Sequence, residues 1–222
     1  NTVFWDQVIL SKALRREKVE VFFSPYIKTP LWKVCPYVNT IADIIPLTVT
    51  RYKGIKGHLE KAYFFAYSFL CGRRSESVVT LSEDAKHKIH GAFGITEDKI
   101  HVIYPSVVVP DNIAGASEEE HAYVKRYELD KPYILYAGNF KRHKNVWKLV
   151  DAYCSLPEEI TGSYRLMLLG GSGEDTEQMY RFVSMRGLTD KVLPIENVSH
   201  DDVWIFMKHA ALFVFPSLAE GF

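Results

Sequence analysis

Between residues 133 and 153 the hydrophobic pattern changes period abruptly, and that change limits what the chain can fold into. Tyr133-Ile134-Leu135-Tyr136 is a continuous apolar run of strand length, closed by a turn at Ala137-Gly138. A basic loop follows, Asn139-Phe140-Lys141-Arg142-His143-Lys144-Asn145. Val146, Leu149, Val150 and Tyr153 then fall at i, i+3, i+4 and i+7 and make one apolar helix face. Strand, glycine turn and amphipathic helix in that order predict an α/β unit. The turn gathers backbone N–H groups and cations at one spot, the arrangement that receives phosphate, although a plain solvated basic loop has the same composition. Lys144 stands at the helix start, where a cation is unfavourable beside the positive end of the dipole unless an anion offsets it.

The far end of the chain offers a second such turn. Phe213-Val214-Phe215 reads as a buried strand broken by Pro216, and a carboxylate beside glycine follows in Glu220-Gly221-Phe222. Together the two stretches resemble the donor-binding half of a family 4 glycosyltransferase of the GT-B fold. In that family the first motif reads Gly-Arg, a few residues, then Arg-Lys-Asn or Lys-Gly, and the second ends Pro-Ser-x-x-Glu-Gly-Phe-Gly. The resemblance covers most of the chain. It implies an α/β fold of two Rossmann-like domains with parallel sheets, incomplete at both ends: a partial acceptor-side domain over 1–106, an interdomain linker over 107–131, and a truncated donor-binding domain over 132–222.

Composition sets looser bounds. The 222 residues carry 27 basic and 27 acidic side chains, so no charge excess points to nucleic acid. Cys35, Cys71 and Cys154 are scattered and odd in number, which suits a reduced, cytoplasmic setting better than a disulfide framework. No secretory signal opens the chain and no apolar run reaches membrane-spanning length, so a soluble protein is expected.

In chain order, residues 1–18 read as a helix with Phe4, Val8 and Leu14 among its apolar positions. Strands are expected at 19–24, 37–41, 77–81 and 100–103, and Ser82 caps the helix after the third, with Glu83 and Asp84 in its first turn. Residues 57–71 form an aromatic-rich helix with Leu59, Ala62, Tyr63, Ala66, Phe69 and Leu70 on its main apolar face. Arg51, Lys53, Lys56, Arg73 and Arg74 flank it. Such a helix packs on a sheet or lies on a membrane surface; we take the first. The linker segment holds Pro110, Gly115 and the polar run Ser117-Glu118-Glu119-Glu120. Beyond it come a strand at 164–169, a glycine turn with Gly170, Gly171 and Gly173 that lacks GxGxxG spacing, and a helix at 177–186. A strand at 192–195 and a capped helix begun by Ser199-x-x-Asp202 complete the series, with Val203, Phe206, Met207 and Ala210 marking the helix face. His200, Asp201 and Asp202 invite a metal reading, but capping explains them. No Asp-x-Asp, His-x-x-x-His or paired-cysteine site occurs in the sequence.

The resemblance also assigns roles. It implies a retaining glycosyl transfer without a metal or other cofactor, from a nucleoside diphosphate sugar to a glycan or lipid-linked acceptor, with possible peripheral contact at the inner face of the membrane. Lys144, with Lys141 or Arg142, would meet the diphosphate; Gly138 and Asn139 form the turn beside it; Glu220 would accept hydrogen bonds from sugar hydroxyls; the amides of Gly221 and Phe222 would approach the sugar or phosphate. Lys144 and Glu220 carry the catalytic assignment. The loop 195–198 would pass near the base. GDP-mannose is the expected donor, because His143-Lys144-Asn145 resembles bacterial mannosyltransferases in polysaccharide biosynthesis, and UDP-sugars remain the alternative. The chain departs from the family in three places: Asn139 replaces an arginine, Ala42 replaces a cleft histidine in Thr40-Ile41-Ala42-Asp43-Ile44-Ile45-Pro46, and a second glutamate would fall beyond Phe222. Asp43 is either an acceptor-side contact or a structural turn. Two other functions compete, a catalytically incomplete nucleotide-sugar-binding or partner subunit and a GT-B nucleotide-sugar epimerase.

Overall fold

The computed structural model describes residues 4–49, 54–108, 118–170, 174–199 and 201–222. Arg51, Lys53, Pro110, Gly115, Ser117, Gly171, Gly173 and His200, all invoked above, lie outside the described residues. The chain separates into two compact units, Asn1–Ser106 together with Ala219–Phe222, and Val107–Leu218.

In the second unit, strands β5 (Tyr133–Ala137), β6 (Arg165–Leu169), β7 (Val192–Ile195) and β8 (Leu212–Phe213) form a sheet in the order β7-β6-β5-β8. All its pairings are parallel, with Leu135 opposite Met167 and Phe213. The unbroken apolar run of β5 is needed because both faces of such a sheet are covered. Tyr133 and Leu135 pack on one side with Met167, Leu169 and Phe206. Tyr136 packs on the other side with Leu166, Leu168, Val146, Leu149, Val150 and Tyr153. The four residues at helix spacing are thus the buried face of helix Val146–Cys154, and each contributes on the order of 1.5–3 kcal/mol of burial.

Two expectations change here. The segment expected as a linker contains the helix Glu118–Tyr127, whose Tyr123, Val124 and Tyr127 pack against Phe206 and its neighbours. The glutamate run that read as polar linker is the helix's first turn, where carboxylates suit the dipole. The strand expected at 213–215 is reduced to Leu212–Phe213 at the sheet's edge, with its side chains 55% and 44% exposed. Among the described residues β8 pairs with β5 alone, so within them it gains burial on one flank.

The first unit carries β1 (Phe22–Ser24), β2 (Tyr37–Thr40), β3 (Ser77–Thr80) and β4 (Ile100–Val102), parallel and in sequence order. Its core gathers Ile41, Val78, Ile89, Phe93 and Ile100 beneath helix Glu83–Phe93. The aromatic-rich helix spans Gly54–Arg74, and it buries Gly57, Tyr67, Ser68, Cys71 and Gly72. Leu59, Ala62 and Tyr63 are exposed, so the buried stripe is rotated from the apolar face expected. The reason is close packing by small residues: a Cβ on Gly72 would lie 2.4 Å from Ile95 Cδ1. The N-terminal helix opens with a π-helical turn, Trp5–Ile9, before Leu10–Arg16; Leu14 is buried and Phe4 is exposed.

Candidate active site

The site begins at the end of β5, where the order β7-β6-β5-β8 sends successive connections to opposite sides of one strand. Open parallel sheets bind ligands beyond the carboxyl ends of their strands at such a switch point. Three backbone features shape it. Gly138 N donates to Leu169 O at 2.8 Å and Gly170 N to Ile195 O at 3.1 Å, so the ladder continues past the strands. Gly138 has φ 154° and Gly170 φ 116°, and a Cβ on Gly170 would stand 2.4 Å from the Gly138 carbonyl oxygen. Only glycine allows the two loops to lie this close.

Two adjoining depressions open over these glycines. One, of about 470 Å³, is lined by Asn139, Phe140, Lys141, Gly170, Asp175 and Asn197. The other, of about 500 Å³, reaches down to Leu169, Val203 and Met207. Asn139 shapes the rim rather than projecting freely, since its Oδ1 accepts from Lys141 N at 3.2 Å and its carbonyl accepts from the buried Tyr136 hydroxyl at 2.7 Å. That Asx turn leads into a 3-10 turn, Arg142–Lys144, and Asn145 in the left-handed conformation (φ 59°) starts the helix.

Lys144 therefore lies one residue before the helix N-cap, close to where the sequence placed it. Its ammonium sits 5.0 Å from the centroid of the Phe215 ring. Phe215 stacks on Tyr136 (6.0 Å, 15°) and on Phe213 (6.1 Å, 14°). Leu218 N donates to His143 O at 2.8 Å, tying the loop after β8 to the basic turn. Sequence reasoning missed Phe215 as a site residue, and the available signal was the alternation Phe213, Phe215 ahead of Pro216. Asp175 was missed as well, whereas Asn197 belongs to the loop 195–198 that the sequence placed near the base.

Glu220, Gly221 and Phe222 belong to the first unit, within the four residues Ala219–Phe222 that follow the end of the second. There Ser82 does two jobs: its Oγ accepts from Ala85 N at 3.2 Å as the helix cap, and donates to Gly221 O at 2.9 Å. Phe222 lies against Tyr104 with ring centroids 6.0 Å apart. Asp43 Oδ1 accepts from Ile45 N at 2.8 Å, the structural turn foreseen as one of its two readings. Its side chain also borders the tail, because a Cβ on Gly221 would be 3.2 Å from both Asp43 Cβ and Oδ2. Among the described residues no group of three or more His, Cys, Asp or Glu side chains is placed to hold a metal ion. Ser199 Oγ instead donates to Asp202 Oδ2 at 2.6 Å and accepts from Asp202 N at 3.1 Å, a local turn ahead of helix Val203–His209, whose N-cap residue Asp202 makes no side-chain cap bond, contrary to the capping-box start expected.

The profile of glycosyl transferases group 1 matches residues 117–222. This stretch belongs to the group 1 glycosyl transferases. Among curated relatives, the serotype-specific mannosyltransferase WbdA of Escherichia coli is 28% identical over 195 residues, covering 86% of this chain and 23% of that protein. The O-antigen chain mannosyltransferase RfbU of Salmonella typhimurium is 27% identical over 164 residues, 74% and 42% of the two chains. The chain thus spans less than half the length of these relatives. Among solved structures, HepE of Anabaena in complex with UDP and glucose matches with a TM-score of 0.70 at 15% identity, over 96% of this chain and 57% of that one. WaaG, a glycosyltransferase involved in lipopolysaccharide biosynthesis, matches with a TM-score of 0.69 at 15% identity, over the same shares. At these identities the likeness concerns the fold, and the two parallel α/β sheets of this chain are those of the GT-B class.

Proposed function

We propose that this chain supplies the nucleotide-sugar-binding part of a retaining hexosyltransferase that acts on a glycan or lipid-linked acceptor. The observation that carries the reading is the ammonium of Lys144 over Phe215, a ring that itself lies against Gly138 at the switch point, where a Cβ on that glycine would be 3.6 Å from it. In the reaction, the bond from sugar C1 to the diphosphate oxygen breaks and its electron pair leaves with the diphosphate. The acceptor hydroxyl oxygen bonds C1 on the same face, and its proton passes to a departing phosphate oxygen. The protein's part is placement and charge stabilisation, with Lys144 and either Lys141 or Arg142 facing the diphosphate. That scheme needs no divalent cation. Glu220 and the amides of Gly221 and Phe222 are our candidates for the sugar, and Asp43 for the acceptor side. The relatives named mannosyltransferases favour GDP-mannose as donor, while the UDP bound by HepE keeps UDP-sugars in the comparison. We place the enzyme in the cytoplasm or at the inner membrane face; among the described residues no helix is long and apolar enough to cross a membrane.

Calorimetric titration of GDP and UDP tests this. We expect micromolar binding of GDP, weakened at least tenfold in Lys144→Ala, about 1.4 kcal/mol. Binding of neither nucleotide would sink the reading, and binding without transfer to any acceptor would favour a binding subunit.

A further inference from the structure

The first unit carries a strongly basic depression that glycosyl transfer does not use. Its volume is about 640 Å³, and five cationic side chains line it, Arg15, Lys33, Arg73, Arg74 and Lys99, with Glu76 as the one carboxylate among the described lining residues. Trp32 forms part of the wall and is 70% exposed. Helix C-terminal placement accounts for Arg73 and Arg74, which end helix Gly54–Arg74 and favour its dipole. It accounts as well for Arg15, in the last turn of helix Leu10–Arg16, but not for Lys33, from the loop before β2, nor for Lys99, which closes the short 3-10 turn Glu97–Lys99. Lys33 pairs with Glu76, and Lys99 Nζ reaches the Arg73 carbonyl at 3.4 Å. After that pairing four positive charges remain around one concavity in a chain whose total charge is zero. Like charges repel in such a cleft unless an anion enters it.

The location separates this concavity from any cleft at the carboxyl ends of the strands. Ser75 and Glu76 precede β3 and Lys99 precedes β4, so it lies at the amino ends of the parallel strands, away from the edge where such sheets receive nucleotides.

We propose that this depression is a binding site for a phosphate-bearing ligand with at least two negative charges, held by the forked donors of Arg73 and Arg74 and by the ammonium groups of Lys33 and Lys99. Free polyphosphate and an anionic lipid headgroup offer the same chemistry. The test is a titration of pyrophosphate into the full chain with ¹⁵N-labelled tryptophan, reading the Trp32 indole signal, which Trp32→Phe assigns. We expect that signal to shift to saturation at submillimolar concentration, with the dissociation constant raised at least tenfold in Arg73→Gln/Arg74→Gln and unchanged in Lys144→Ala. Should the double variant not fold, Lys33→Gln at an exposed position is expected to weaken binding about threefold. Phosphatidylglycerol vesicles, with phosphatidylcholine vesicles as control, form the second arm. A Trp32 response to these vesicles and not to pyrophosphate assigns the site to a lipid phosphate; a response to pyrophosphate assigns it to a free one. A Trp32 signal that moves with neither, or with equal affinity in the charge-removed variants, overturns the proposal.

Discussion

The ammonium of Lys144 lies over the face of Phe215, 5.0 Å from its centroid, and this contact joins the loop after β5 to the loop after β8. A cation over an aromatic face gains about 0.5–1 kcal/mol at a partly exposed site. The ring therefore helps to orient Lys144. Phe215→Leu should keep the fold and weaken GDP binding about two- to fivefold, less than Lys144→Ala, when both are compared by calorimetry. Equal losses in the two variants would mean that Phe215 contributes more than orientation.

Gly170 tests the architecture of the same place. An alanine there meets the Gly138 carbonyl at 2.4 Å and must also hold φ near 116°, so β5 and β6 have to part at their carboxyl ends. We expect a loss of about 2–4 kcal/mol, read as a lower midpoint in urea with little change in m. Gly162, around which a Cβ meets nothing within 4 Å, is the control, and alanine there should be nearly neutral or stabilising.

Glu120 anchors helix Glu118–Tyr127 to the end of helix Val203–His209. Its carboxylate lies 2.8 Å from His209 Nε2 and 3.0 Å from Lys208 Nζ, and its side chain is 10% exposed. The hydrogen bond from His209, then that from Lys208, holds its pKa below the ordinary glutamate value. A lowered folded-state pKa stabilises the fold fully above the unfolded value of about 4.3 and loses that stabilisation as pH falls through the folded value. Glu120→Gln should cost about 1–2 kcal/mol at pH 7 and remove that share of the acid dependence below pH 4.3. A variant as acid-sensitive as the parent would refute the assignment.

Tyr123 gives a marker at the alkaline end. Its hydroxyl donates to Asp202 Oδ2 at 2.6 Å, and that bond, with burial, pushes the phenol up to about 12. A raised folded pKa stabilises below the unfolded value of about 10 and fades as pH rises through 12. In an ultraviolet titration Asp202→Asn should return this phenol toward 10. Tyr123→Phe should cost about 1 kcal/mol near neutrality.

The sequence by itself determined the elements whose signals are local. The apolar run of β5, the i, i+3, i+4, i+7 face of helix Val146–Cys154 and the Ser82 cap are each specified within a dozen residues, because hydrogen-bond geometry and side-chain period act over that range. Motif spacing also sufficed to indicate the family and the parallel α/β class. Tertiary structure alone decided the rest. Whether Phe213 is buried depends on how many strands flank it, and which face of helix Gly54–Arg74 turns inward depends on the small residues that permit close approach. Phe215 meets Lys144, Gly170 meets Gly138 and Ser82 reaches Gly221 across separations of 32 to 139 residues, and cations from four separate segments gather around Trp32. Local periodicity carries no information at such distances, since each contact is set by strand order and by what the packed sheet leaves room for.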